Sequence, residues 1–264
     1  MRIVHVSDVH FGREDPVSLK AFDDHLAEFP ADVIIISGDL TQHGRRREFR
    51  SASNWVAGLD TPVITTPGNH DAPSLNLVSR FTGPFRRYRR AFESGEPFVH
   101  TDVAFIPLRT AQGFQWRRDW SLGAVRDRDL ANALRLLADA AAARWRIVVC
   151  HHPLIDVAET RVKGRTRGGR PALDALAANG ADFVLTGHTH TPFVRYYPES
   201  AARVCLVGAG TLSDRVREAP ASFNRLTTPD DGLTLDSYAL RQGVFHREAR
   251  HRFHRSSFPE DLVR

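Results

Sequence analysis

Five times along this chain a short apolar run ends in a small cluster of Asp, Asn, Gly and His. The clusters are Asp8-Val9-His10, Gly38-Asp39, Gly68-Asn69-His70-Asp71, His151-His152-Pro153 and Gly187-His188-Thr189-His190. Among the runs before them, Arg2–Ser7 and Asp32–Ser37 are continuously apolar rather than alternating, the pattern of strands covered on both faces. Pro62–Thr65, Arg146–Cys150 and Asp182–Thr186 are the other strands expected ahead of a cluster. In α/β sheets, ligand sites gather where strands end. A chain that repeats this arrangement five times is expected to fold so that the ends meet.

Helical spacing separates several of these runs. Leu19, Phe22, Leu26 and Phe29 recur every three or four residues, as do Phe49, Ala52, Val56 and Leu59, and then Leu130, Leu134, Leu137 and Ala141. A further helix is expected over Pro171–Asn179, with Gly180 as its C-terminal stop. Beyond it, Pro192–Tyr197, Arg203–Val207, Ser222–Leu226 and Leu233–Leu240 read as strands without intervening helices. A β-α-β first half and a β-rich second half predict one α/β domain in which two packed sheets are flanked by helices. We expect that domain over residues 1–245, a polar, basic tail over 246–264, and a mobile basic loop at Arg161–Arg170.

Composition narrows the function classes. No apolar run approaches the roughly 18 residues that a membrane span needs, and Met1–His10 lacks the pattern of a secretory signal. Cys150 and Cys205 stand far apart with no C-x-x-C spacing, which argues against a disulfide framework or a cysteine-based zinc site. A reduced, cytoplasmic setting is the expectation. The formal charge is +5, but all of the 36 basic residues except Lys20 and Lys163 are arginine. That skew fits biased codon usage better than selection for phosphate contacts, so nucleic acid is not the favoured partner; the oligomeric state is open.

As candidate ligands the five clusters offer the Asp8 and Asp39 carboxylates, the Asn69 side-chain amide and at least four imidazoles. Mixed oxygen and nitrogen donors suit divalent Mn, Fe, Co, Ni or Zn better than Ca or Mg. If D-x-H and H-x-H are extended, Asp8 and His10 share one face, as do His188 and His190. Seven candidate ligands, Asp8, His10, Asp39, Asn69, His151, His188 and His190, are too many for one tetrahedral ion. They suit two ions bridged by Asp39. Paired metals clamp the attacking and leaving oxygens of a phosphoryl displacement and generate a hydroxide nucleophile.

The ordered series D-x-H, G-D, G-N-H-D, H-x-P and G-H-x-H resembles the calcineurin-like binuclear metallophosphoesterases, over Asp8 to His190. The resemblance implies a pair of mixed sheets flanked by helices. It also implies one metal on Asp8, His10, Asp39 and His190, a second on Asp39, Asn69, His151 and His188, and a substrate-contacting or leaving-group role for His70. Gly38-Asp39-Leu40-Thr41 departs from the G-D-x-x-D-R-G of protein Ser/Thr phosphatases, and His70 stands where one class of UDP-diacylglucosamine hydrolases has Arg. The remaining pattern is most similar to class III cyclic nucleotide phosphodiesterases and glycerophosphodiesterases. A nuclease or nucleotide pyrophosphatase on the same site is the alternative, and a weakly catalytic metal-binding protein a third.

Around this set, His43 is a candidate for the substrate pocket, and Arg165 and Arg167 for binding an anionic phosphoester substrate. His151 is favoured over His152 as ligand by the H-x-P phase. Cys150, on the opposite face, is expected in the core. Phe114, Trp116 and Trp120 are expected as core or lid rather than a base-stacking platform, and His5 and His25 as surface or structural.

Overall fold

Successive residues of the central strands sort into different apolar layers, and that alternation builds the molecule from inside outward. The computed structural model describes residues 1–92, 102–158, 160, 166–197 and 204–254. Six strands form the first sheet: β1 (Arg2–Val6), β2 (Val33–Ile36), β3 (Val63–Thr65), β9 (Ser222–Thr227), β10 (Gly232–Arg241) and β11 (Val244–His254). Their order is β11-β10-β9-β1-β2-β3, with β1, β2 and β3 parallel and the rest antiparallel. The second sheet holds β4 (Val103–Pro107), β5 (Trp145–Val149), β6 (Phe183–Thr186), β7 (Phe193–Tyr197) and β8 (Val204–Gly208). Its order is β4-β5-β6-β8-β7, parallel except for β7. The expected pair of mixed sheets is therefore present.

Three apolar layers hold the sheets and helices together. Between the sheets, Ile3, Val33 and Ile35 meet Phe105, Trp145, Ile147, Val149, Phe183 and Val207. The intervening residues Val4, Val6, Ile34 and Ile36 turn outward onto Phe22 of α1 (Pro16–Glu28) and onto Phe49 and Ala52 of α2 (Arg46–Ala57). On the far side, Ile106, Val148, Cys150, Val184 and Leu206 pack against Ala133 and Leu137 of α5 (Asp127–Asp139) and Leu173 and Leu176 of α6 (Gly169–Ala178). Each Val, Leu, Ile or Phe among them contributes roughly 1.5–3 kcal/mol on burial. The central strands are covered on both faces, which is why they read as continuous apolar runs.

Helix ends follow local chemistry. Asp15 caps α1 by accepting from the Val17 and Ser18 amides, with Pro16 at the first helical position. Gly180, at φ +85°, closes α6: its amide reaches the Ala177 carbonyl while that of Ala181 reaches Leu176.

One boundary differs from expectation. Residues 246–254, expected as part of a tail, belong to β11, which pairs with β10 along its length. Only Phe245 and Phe253 of this edge strand are buried, and its charged side chains face outward; Arg250 pairs with Asp236 at 2.6 Å. An edge strand with one solvated face carries little apolar signal and is protected by its charges against pairing with other chains. Two short helices, α3 (Leu77–Thr82) and α4 (Arg86–Phe92), complete the described elements.

Candidate metal centre

The candidate ligands stand just beyond the ends of β1, β2, β3, β5 and β6. Among the described residues, the non-glycine positions with positive φ are Asp8, His10, Asp39, Asp60, His188, His190 and Gln242, so five of them are candidate ligands. Side chains rarely adopt this left-handed backbone, and its concentration here marks a functional turn set. The D-x-H and H-x-H pairs thus converge through left-handed turns, not through the extended geometry expected from their spacing. Two glycines allow the approach of neighbouring turns. A Cβ on Gly68 would lie 2.0 Å from Asp39 Oδ1, and one on Gly187 would lie 1.8 Å from Ser7 Oγ.

Two clusters result, with Asp39 between them. In the first, His190 Nε2 lies 3.1 Å from Asp8 Oδ1 and 3.3 Å from His10 Nε2. In the second, His151 Nε2 lies 3.2 Å from Asn69 Oδ1, and the His151 and His188 ring centres are 5.3 Å apart. Asp39 Oδ2 reaches both, at 3.8 Å from His10 Nε2 and 3.3 Å from His151 Nε2. Each carboxylate is anchored by its other oxygen. Asp39 Oδ1 accepts from the His70 amide at 2.8 Å, and Asp8 Oδ2 from the His188 amide at 2.8 Å.

Backbone carbonyls orient the imidazoles. His151 Nδ1 donates to Ser37 O, His190 Nδ1 to Arg215 O and His70 Nδ1 to Gln42 O, at 2.8, 2.8 and 2.7 Å. In the neutral rings the Nε2 lone pairs then face inward, the arrangement a metal-ligating histidine needs. They meet further acceptors, including Asp8 Oδ1, which is buried with no hydrogen-bond partner. Lone pairs this close require protons or cations between them. Asp8, His10 and His190 place one donor each within 4.8 Å of one another, as do Asp8, Asp39 and His151. The donor set fits divalent metal ions.

The electrostatics agree. Burial opposes ionisation of Asp39, yet His151 and then His70 hold it well below the usual carboxylate range. Asp8 is also held low against burial, chiefly by His190 and His10. Burial lowers His10 to about 4, and burial with His151 lowers His188 to about 3. His151 goes the other way: burial is outweighed by Asp39, which lifts it to about 9.

A sequence profile of the calcineurin-like phosphoesterase family matches residues 1–192. The chain belongs to the calcineurin-like phosphoesterases. It is 25% identical over 212 residues to a probable cyclic nucleotide phosphodiesterase of Pseudoalteromonas, covering 75% of each chain. A Synechococcus protein of the same description is 22% identical over 243 residues, covering 88% of this chain and 89% of its own. Among solved structures, a dimetal phosphatase from Danio rerio shares the fold at a TM-score of 0.63 and 11% identity, over 90% of this chain and 95% of that one.

Within this phosphoesterase the remaining candidates separate. His70 faces the clusters; its ring lies 4.9 Å from that of His10. His152 lies beside His151 and His188, but its Nε2 reaches Ser121 O at 2.7 Å and its Nδ1 Thr110 Oγ1 at 3.0 Å. Both nitrogens thus have partners, although His152 also places a donor within 4.8 Å of those of His151 and His188. His43 is half-buried, and burial, with the nearby Arg45 and Arg215 charges, lowers its pKa. Arg165 lies outside the described residues. Arg167 pairs through its backbone with Ala124, and its exposed side chain makes no hydrogen bond or ion pair with the site. Cys150 is in the core as expected. Phe114 and Trp120 pack with Phe81, while Trp116 is 88% exposed.

Two further residues complete the site: Asp71, which sequence marks only as the end of the G-N-H-D cluster, and Arg215. Asp71 accepts from the amides of Thr41 and Gly68, both at 2.9 Å, and burial with the Asp39 charge pushes it up to about 7. Arg215 brings its guanidinium to His10 and His70. Standing 25 residues after His190, it has no spacing that could have marked it.

Proposed function

We propose that this chain is a two-metal phosphohydrolase whose preferred substrates are phosphodiesters. The observation that carries the proposal is Asp39 Oδ2, within 4 Å of an imidazole from each cluster. Asp8, His10, Asp39 and His190 would hold one ion, and Asp39, Asn69, His151 and His188 the other, with Mn, Fe, Zn, Co and Ni as the candidate metals. Such ions supply charge neutralisation and water activation for attack on phosphorus.

The chain's own groups set the geometry around that chemistry. Ser37, Gln42 and Arg215 carbonyls fix three rings, so little reorganisation is needed when a substrate arrives. His70 shares its amide with Asp39 Oδ1, which ties its ring to the bridging carboxylate. Its Nε2 lies 3.1 Å from Arg215 Nη1, where both groups would meet the phosphoryl group or the leaving oxygen. Diester preference is supported by the descriptions of the Pseudoalteromonas and Synechococcus relatives, which extend over most of the chain. The free, buried thiols of Cys150 and Cys205 support a reducing compartment, the cytoplasm.

The test is a panel with Mn²⁺ present: bis(p-nitrophenyl) phosphate, p-nitrophenyl phosphate, cyclic AMP, glycerophosphodiesters and single-stranded DNA. Diester turnover exceeding that of the monoester is expected. Turnover of the monoester alone overturns the diester preference, and turnover of DNA alone replaces it with a nuclease.

A further inference from the structure

We infer that Arg215 is a catalytic residue whose guanidinium binds an anionic non-bridging oxygen of the substrate's phosphoryl group beside His70, an assignment that rests on the phosphoesterase reading. Arg215 Nη1 lies 3.1 Å from His70 Nε2, 3.3 Å from His10 Nε2 and 3.4 Å from Gln42 Oε1. The guanidinium thus stands where the two clusters and His70 meet.

Its placement is built from below. The Thr211 hydroxyl donates to the Asp8 carbonyl at 2.6 Å and lies 2.7 Å from Ser213 Oγ, and both side chains are fully buried. Ser213 Oγ in turn accepts the Arg215 amide at 3.3 Å. The Arg215 carbonyl holds His190 Nδ1. The backbone that carries this arginine is therefore fastened to two candidate ligands, Asp8 and His190, and its head is aimed with them.

The charge has no anionic partner of its own. The adjacent Asp214 is taken by Arg13, at 3.0 and 2.8 Å to the Arg13 Nε. Among the described residues no carboxylate lies within ion-pair distance of Arg215; its contacts are imidazoles and an amide oxygen. A guanidinium has five donors in a planar fork that matches phosphate oxygens, and one held beside acceptor nitrogens retains donors for an incoming anion. Arg217, two residues on, lies near enough to Asp8 and Asp39 to feel their charges and adds to the positive rim.

The experiment compares Mn²⁺-loaded wild type with Arg215→Ala and Arg215→Lys. It reads metal content, orthophosphate affinity by calorimetry, and kcat and KM for bis(p-nitrophenyl) phosphate. All variants keep the residue 215 carbonyl, so metal content should stay at the wild-type level. Arg215→Ala should weaken orthophosphate binding about tenfold or more and lower kcat/KM on the order of 10²-fold, the usual loss for one preorganised donor. Arg215→Lys should keep part of both, and added ethylguanidinium should restore part of the activity of the Ala variant. If Arg215→Ala does not fold, Arg215→Met supplies the same comparison. Unchanged phosphate affinity and kcat/KM overturn the assignment, as does metal loss in proportion to activity, which would make the role structural. Wild type that binds orthophosphate through Arg215 but cleaves no phosphoester would leave the anion site standing and remove the hydrolase reading. Wild type that neither binds nor cleaves would remove both.

Discussion

Asp39 Oδ2 lies 3.3 Å from His151 Nε2, while the opposite carboxylate oxygen is held by the His70 amide. The same Oδ2 is 3.8 Å from His10 Nε2, so one atom serves both halves of the centre. Asp39→Asn keeps the shape and removes the charge. Elemental analysis should find metal lost from both positions together and activity reduced by at least 10²-fold. Asn69→Ala, which touches only the His151 side, should affect one position. Full metal content and activity in Asp39→Asn would contradict the bridging role.

Gly68 allows the β3 turn to lie against Asp39. An added Cβ would meet Asp39 Oδ1 at 2.0 Å and the Asp39 amide nitrogen at 2.4 Å, both fixed within the site. Gly68→Ala should abolish turnover and weaken metal binding. Gly243→Ala is the control: Gly243 has φ +81° but nothing within 4 Å of an added Cβ. It should cost only about 1–2 kcal/mol in stability and leave kcat unchanged.

Asp71 ties the Asp39 turn to the Asn69 turn. Its carboxyl accepts from the amides of Leu40, Thr41 and Gly68 and from the Thr41 hydroxyl. Asp71→Ala leaves those buried donors without partners, at about 1–3 kcal/mol each. Denaturant unfolding should register a loss of several kcal/mol, well beyond that for an exposed aspartate such as Asp24.

Acid stability depends in part on His25. It is 7% exposed among the rings of Phe29, Phe223 and Tyr238, and burial, with Arg225, lowers its pKa to about 4. The unfolded chain takes up this proton near pH 6.5 and the folded chain only near 4. The stabilisation is therefore complete above about 6.5 and is lost as pH falls from there toward 4, by about 2 kcal/mol at pH 5. His5, lowered to about 3 by burial, acts in the same direction. His25→Phe should flatten, without abolishing, the fall in melting temperature between pH 7 and 5. An unchanged slope would exclude His25 as a contributor.

The ligand-bearing turns were legible because each is local: a strand, a glycine and a few donors within four residues. The central strands of both sheets and the helices flanking them are legible because their apolar periodicity is strong, whereas the edge strand β4 is not among the strands expected from sequence. Long-range placement was not. Arg215 reaches the site through Thr211 and Ser213, bonds that leave no repeating pattern in sequence. β11 resembles a tail in sequence because its outward face is polar along most of its length. The common facing of Asp8 and His10 was anticipated, but the left-handed turns producing it depend on neighbouring strands that spacing does not reveal.

The central claim is that two metals act together across Asp39. The most direct measurement is the rate of bis(p-nitrophenyl) phosphate hydrolysis as Mn²⁺ is added back to metal-free protein, plotted against metal bound per chain. Activity that rises to a plateau at two equivalents, and collapses in Asp39→Asn, is the predicted result. Full activity at one equivalent, or none at saturation, would contradict it.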